Sequence, residues 1–245
     1  MPDEKVTFVH LHVHSAYSHI GGGAGASSLE ALAAAARERG MRALAVTDTN
    51  GVYGAMDFRR VAAAYDLQPM YGASLETPTE HALLLPLDAR GWASLCRAIT
   101  ARHHRPDFSL SEQLARDRSG LVVLTNDLVL LDRVAQASGT ERLYVELIPG
   151  QGRELAHAFA RRHGLPPVAT NAVRFAHPQA HARHRLLAAI GRNAPLSPRP
   201  PAACRHSPGG PSSPARLSLG PGRASRQAMR RNASRRCGRP GVPSS

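Results

Sequence analysis

The chain has 245 residues, enough for one large domain or two small ones with a buried core, and a formal net charge of +13 at pH 7. The charge is uneven: residues 195–245 contain ten arginines and no acidic residue, whereas the first 194 residues carry 21 basic and 18 acidic residues. The net charge therefore does not by itself indicate that the folded part binds nucleic acid. The three cysteines do not form the pattern of a disulfide framework, and the N-terminal sequence MPDEKVTF lacks the apolar core of a signal peptide. No apolar run reaches the 18 residues needed to span a membrane. We therefore expect a cytoplasmic protein without a membrane partner.

Short apolar segments alternate with helix-like segments up to about residue 190. The candidate strands are VTFVHLHV (6–13), RALAVTD (42–48), LQPMYGASL (67–75), HALLLPL (81–87), GLVVLTND (120–127), RLYVELI (142–148) and PPVATN (166–171). The candidate helices are residues 27–40, 53–65, 89–103, 127–139 and 152–164. Ser28 is suited to begin a helix, and Gly40 and Gly164 to end one. The alternation predicts an α/β fold of parallel strands joined by helices, and a barrel or an open doubly wound sheet satisfies it equally.

The sequence changes character at Pro195. Of the 51 residues from there to the end, 25 are proline, glycine or serine. Such a composition buries too little apolar surface to offset chain entropy, so we expect a folded domain over residues 1–194 and a disordered tail over residues 195–245. The tail has two interpretations: a basic arm attracted to phosphates, or an out-of-frame translation of GC-rich DNA.

FVHLHVHSAYS, residues 8–18, places His10, His12 and His14 at every second position. In a strand, residues two apart share a face and lie about 6.6 Å apart, so two imidazoles can converge on one metal ion. An edge strand with solvated histidines is the other interpretation. GGGAG, residues 21–25, lacks the lysine and the spacing of a phosphate-binding loop, and we interpret it as a turn.

Polar residues end several of the candidate strands. His12 and His14 lie near the end of the first strand and Asp48 ends the second, while Ser74, TND (125–127) and TNAVRF (170–175) follow in later strands. Because the carboxyl ends of parallel strands meet at one edge of a sheet, these residues predict a functional site there.

Several linked segments resemble one known family. FVHLHVHSAYS, LAVTDTNGVYGAMDF, GASLE and GLPPVATNAVRFAHP are similar to the PHP (polymerase and histidinol phosphatase) domain of the bacterial DNA polymerase III alpha subunit, especially its error-prone type. GWASLCRAITARH, LYVELIPG and HRLLAAIGRN extend the resemblance to about residue 197. The resemblance implies a distorted seven-stranded, TIM-like β/α barrel with a metal cluster at the strand ends. It also implies either a metal-dependent phosphoesterase or 3′–5′ exonuclease, or a scaffold within the polymerase whose cluster has been lost.

The ligand set that the resemblance implies is only partly retained. His12 and His14 keep the HxH pair, Asp48 keeps the acidic residue of the family's TDH motif, and His103 or His104 is a candidate for a later histidine. The remaining expected ligands are replaced at Gly21, Thr49, Ser74, Ala172 and Arg174. The arginine matters most, because it replaces an imidazole with a permanent cation that repels metal ions.

Two further positions leave room for a substitute. Glu76 lies on the same strand face as Ser74 and is a displaced candidate carboxylate, while a thiol position of the family falls near Asn126 or Asp127. A cluster of two or three divalent ions needs more carboxylates and neutral imidazoles than these. We therefore assign no catalytic residues and expect at most one weakly bound Zn²⁺ or Mn²⁺.

The resemblance leads to three functional hypotheses. In the first, the chain is the amino-terminal PHP region of an alpha subunit, lacks the polymerase core and is inactive alone, and DNA and other polymerase subunits are the partners of the parent protein. In the second, it is a metal-dependent phosphoesterase or 3′–5′ exonuclease of the same superfamily. In the third, it binds nucleic acid through its arginine-rich tail.

Overall fold

A six-stranded sheet organises the part of the chain that the computed structural model describes, which is residues 8–20, 23–150, 152–191 and 193–196. All of these residues belong to one compact unit. Our expectations for Gly21 and for the tail from residue 197 onward concern residues outside this description. None of the helices in the described ranges combines the length and apolarity needed to cross a bilayer.

The strands lie in the sheet in the same order as in the sequence. They are β1 Ala43–Thr49, β2 Gln68–Glu76, β3 His81–Pro86, β4 Leu121–Thr125, β5 Leu143–Leu147 and β6 Pro167–Ala169. β1 and β2 are parallel, as are β4, β5 and β6, but β3 is antiparallel to both of its neighbours. The expectation of parallel strands throughout is therefore wrong at β3, because only residues 77–80 join β2 to β3 and a parallel pair needs a connection of about a dozen residues.

The first candidate strand is not a regular strand in the described part of the chain. Residues 10–14 lie between β1 and residues 172–174, with backbone hydrogen bonds to both, but only Val13 and Val173 form a bridge, and it is isolated. The backbone amide of Val13 donates to Thr47 Oγ1 at 2.9 Å, so a side chain takes the place of one ladder bond. We therefore observe a curled, half-barrel sheet of six strands over the described residues, and not the seven strands that we predicted.

Seven helices accompany the sheet in the described ranges. They are α1 Leu29–Glu38, α2 Ala55–Ala64, α3 Ala89–His104, α4 Leu110–Arg116, α5 Leu128–Ser138, α6 Arg153–His163 and α7 His181–Gly191. The Ser28 hydroxyl caps α1 as predicted, and Asp88, Ser109 and Asp127 cap α3, α4 and α5 in the same way. Gly164 ends α6 in the left-handed conformation, which confirms its predicted role.

Among the described residues, one face of the sheet packs against helices and the other face does not. Alternation along β3 shows the division, since Ala82 and Leu84 pack in the large core under the helices whereas Leu83 and Leu85 point the other way. Leu124 joins Leu83 and Leu85 in a small apolar cluster on the helix-free face. A second helix-covered core surrounds β1, α1 and α2. The candidate site lies at the sheet edge where these layers end.

Candidate functional site

One edge of the sheet collects the ends of the strands, as the parallel pattern predicts. Thr49 at the end of β1 pairs with Ser74 of β2, and Glu76 at the end of β2 pairs with His81 at the start of β3. Thr125 at the end of β4 lies beside β5. Because β3 runs in the opposite direction, it presents its first residue at this edge and the other strands present their last.

His12 and His14 lie at this edge in direct contact with each other. The two Nε2 atoms are 3.0 Å apart, and His12 Nδ1 lies 2.7 Å from Glu146 Oε1. Thr170 Oγ1 donates to the same Glu146 oxygen. Glu146 comes from β5, so the contact joins the first segment of the chain to a strand 134 residues later.

The far side of His14 faces β1 and the short 3₁₀ turn at Ala16–His19. His14 Nδ1 lies 3.2 Å from Ser18 Oγ and 3.3 Å from Thr49 Oγ1. All four ring nitrogens of the two histidines thus have a protein partner. We call the connected side chains Glu146, His12, His14 and Thr49 the buried chain.

Asp48 is held by the same turn. Its Oδ1 accepts hydrogen bonds from the Ser15 amide and the Ser18 hydroxyl, both at 2.6 Å, and its Oδ2 accepts one from the Ser15 hydroxyl at 2.8 Å. Burial raises the pKa of Asp48, although these hydrogen bonds oppose the shift. Ser18 contacts both Asp48 and His14, so it connects the carboxylate to the buried chain.

The site is almost closed to solvent. His14 is 0% exposed, Asp48, Thr49 and Glu146 are 2%, 1% and 1% exposed, and His12 is 7% exposed. Burial lowers the pKa of His14 well below its usual range, and the positive charge of Arg174 lowers it further. Burial alone would raise the pKa of Glu146, but His12, the hydrogen bond from Thr170 and the charge of His81 together outweigh burial and hold that pKa below its ordinary value.

The other candidate site residues from the sequence analysis do not belong to the buried chain. His103 Nε2 donates to the carbonyl of Asn50 at 2.7 Å, and the Ser74 hydroxyl donates to Glu76 at 3.2 Å, so these residues form a separate polar group. Ala172 is buried with a left-handed φ of 44°. Arg174 is close enough to affect His14 electrostatically.

Among the described residues, no group of three or more His, Cys, Asp or Glu side chains is arranged to hold an ion. The Nε2–Nε2 contact of 3.0 Å allows one ring to donate a hydrogen bond to the other, and the tautomers decide which ring donates. The oxygens of Asp48 accept from Ser15 and Ser18 instead of facing the histidines.

Sequence reasoning missed the partners of the histidines. Glu146, Ser15 and Ser18 had no assigned role, although each contributes a hydrogen bond to the site. Thr170 was included only as the first residue of the strand-end stretch TNAVRF, without a partner. One signal was available for Glu146, because it is a charged residue inside the otherwise apolar strand LYVEL. The two serines give no comparable signal.

The curled sheet and the histidine pair at its edge define an α/β domain of the PHP type. The chain belongs to the PHP domain family, whose model matches residues 10–159. Its curated relatives include the error-prone DNA polymerase of Symbiobacterium thermophilum, 36% identical over 60% of this chain and 16% of that protein. They also include the DNA polymerase III subunit alpha of Treponema pallidum, 28% identical over 76% of this chain and 19% of that protein. The match thus spans less than a fifth of these relatives.

Solved structures with a similar arrangement are more distant. An amidohydrolase from Chromobacterium violaceum has a TM-score of 0.48 and 13% identity, covering 68% of this chain and 87% of that one. A two-domain protein from Bacteroides vulgatus, described as containing a predicted PHP-like metal-dependent phosphoesterase, has a TM-score of 0.44 and 10% identity, covering 69% and 52%.

Proposed function

We propose that this chain is the amino-terminal PHP region of a DNA polymerase III alpha subunit of the error-prone kind, and that it acts as a scaffold and not as a hydrolase. The observation that carries the proposal is the buried chain, in which hydrogen bonds occupy the nitrogen atoms that a metal cluster would need. The similarity to the polymerases named above supports a polymerase as the parent protein. DNA and other polymerase subunits in the cytoplasm would be the partners of that parent.

The buried chain supports a scaffolding role through its connections. It joins residues 10–14 to β5 through Glu146 and to β1 through Thr49, so three parts of the sheet edge are held together without an ion. Each bond is buried, where the loss of a partner costs about 1–3 kcal/mol.

Thermal unfolding with and without metal tests this proposal. A specific ion supplied at 100 times its dissociation constant stabilises a fold by about 2.7 kcal/mol, which is roughly 5–10 °C for a chain of this size. A chelator first removes any bound metal from the protein. We then expect the Tm of the protein to change by less than about 1 °C when micromolar Zn²⁺ or Mn²⁺ is added. A rise of several degrees that disappears in the His12→Ala/His14→Ala variant would contradict the proposal.

A metal-dependent phosphoesterase or 3′–5′ exonuclease is the second candidate. The observation in its favour is the 3.0 Å separation of the two Nε2 atoms, since two nitrogens about 2.0–2.1 Å from one tetrahedral Zn²⁺ would be about 3.3 Å apart. One weakly held Zn²⁺ or Mn²⁺ between these rings would be its cofactor. This candidate requires metal-dependent hydrolysis of a phosphate ester or a DNA 3′ end that is lost when His12 and His14 become alanine.

A further inference from the structure

The segment that leads into α1 lies directly on the buried chain. We call residues Gly23–Ser27 the strap. A Cβ atom on Gly23 would overlap the Thr49 hydroxyl, and one on Gly25 would overlap the carbonyl of Ser15. Only glycine therefore fits at these two positions, which gives the GGGAG sequence a packing role beyond that of a turn.

The strap is bonded on both sides to parts of the chain that form the site. The Gly23 amide donates to the Ser18 carbonyl at 2.7 Å, and the Ala16 amide donates to the Ser27 carbonyl at 2.8 Å. On the other side, the Ala26 amide donates to the carbonyl of Arg174 at 2.8 Å. The strap thus closes the space between the 3₁₀ turn and the segment that follows β6.

One side chain of α7 holds the middle of the strap. His184, which is 3% exposed, donates from Nδ1 to the carbonyl of Ala24 at 2.9 Å. The ring of His184 also lies 5.7 Å from that of Phe175, centroid to centroid. α7 packs through Ala188 and Ala189 as well, whereas its opposite side is exposed. His184 therefore connects the position of α7 to the cover of the site.

We propose that Gly23–Ser27 is a strap that covers the His14 side of the site, and that His184 fastens it to α7. Access to His14 then depends on where α7 lies: a solute reaches His14 only when the strap lifts, and displacement of α7 releases the strap. This inference is independent of the scaffolding role, because it concerns how the site is covered and not what the site does.

Hydrogen exchange of the intact chain tests the proposal with matched variants. His184→Ala removes the bond to Ala24, His184→Asn keeps an N–H donor in a similar position, and His181→Ala is a control on the same helix whose ring is also 5.7 Å from Phe175. We expect exchange of the Ala16 and Ala26 amides to be about tenfold faster in His184→Ala and unchanged in the other two variants. Carbethoxylation of His14, located by mass spectrometry, should increase in the same variant alone.

Strand β3 serves as the internal reference for folding. If amides of His81–Pro86 remain as protected as in the wild type while the strap is no faster in His184→Ala than in His181→Ala, the proposal is overturned. If His184→Ala does not fold, Gly23→Ala replaces it, because it lifts the strap from the side of Thr49 and leaves His184 in place. Unchanged strap exchange and unchanged carbethoxylation in a folded Gly23→Ala chain would overturn the proposal equally.

Discussion

Glu146 is the residue on which the buried chain depends most. Its carboxylate is 1% exposed and accepts hydrogen bonds from His12 and Thr170. An isolated carboxylate at this depth would be costly, and the lowered pKa of Glu146 indicates that these partners more than offset the cost of burial. The Glu146 carboxylate thus holds the His12 ring in its orientation. His12 in turn contacts His14.

Replacing this charge tests the residue directly. Glu146→Gln replaces the charged acceptor of the His12 hydrogen bond with a neutral amide. We therefore expect the free energy of unfolding, measured by urea denaturation, to fall by about 2 kcal/mol. Glu38→Gln, at an exposed position of α1, is the matched control and should change it by less than about 0.5 kcal/mol. Equal stability of the two variants would show that the buried chain contributes little to the fold.

At this scale the sequence predicted one half of the site. The spacing of two residues predicted that His12 and His14 lie together, and their shared position at strand ends predicted that Asp48 lies near them. The other half comes from residues whose partners lie far away in the sequence, such as Glu146 for His12. A single sequence does not indicate which residue pairs with His12, since any buried polar group could form a hydrogen bond with its ring.

At the scale of the elements, six of the seven candidate strands and all five candidate helices are present among the described residues, and α4 and α7 are additional. The direction of β3 was predictable, because ETPTEH leaves only residues 77–80 for the connection from β2. The loss of regular pairing in residues 10–14 was not predictable, because it depends on the Thr47 hydroxyl taking the Val13 amide. Side-chain bonds of this kind leave no periodic pattern.

The turn between β2 and β3 also fixes α4. Glu80, which is 8% exposed, accepts hydrogen bonds from the Leu110 amide at 2.6 Å and from the Ser109 hydroxyl at 3.3 Å at the start of that helix. Burial would raise the pKa of Glu80, but hydrogen bonds from Ser111, Leu110 and Ser109 outweigh burial and lower it. The carboxylate therefore adds stability in its ionised form.

This lowered pKa predicts a pH dependence. A carboxyl group with a lower pKa in the folded state contributes stability that is complete above its ordinary pKa of 4.5 and is lost as the pH falls through the folded value. We expect Glu80→Gln to cost about 1–3 kcal/mol at pH 7 and progressively less below pH 4.5, measured by urea unfolding at several pH values. Glu112→Gln, which removes an exposed ion pair with Arg116 on the same helix, should cost less than about 0.5 kcal/mol throughout. A constant difference between Glu80→Gln and wild type down to pH 3 would contradict the assignment.

At the scale of the whole molecule, the core clusters of the described residues and the arginine-rich tail lie in different parts of the sequence. The core clusters use residues between Val13 and Ala176, whereas all ten arginines of the basic tail lie beyond residue 196. The first 194 residues carry nearly balanced charge, so we expect attraction to a polyanion to come from the tail. Binding to DNA and stability should therefore respond separately to deletion of the tail.

Deleting residues 197–245 lowers the formal net charge from +13 to +3 without removing a residue of the core clusters. We expect the free energy of unfolding to stay within about 0.5 kcal/mol, because those clusters are intact. Affinity for duplex DNA, measured by fluorescence anisotropy at several salt concentrations, should fall, and the slope of log K against log salt should approach zero. Each arginine that neutralises a phosphate contributes about −0.9 to this slope, so the slope counts the arginines in contact. A shortened chain with the full slope would place the DNA contacts in the PHP domain itself, and the nearly balanced charge of that domain would then need a local basic surface to explain them.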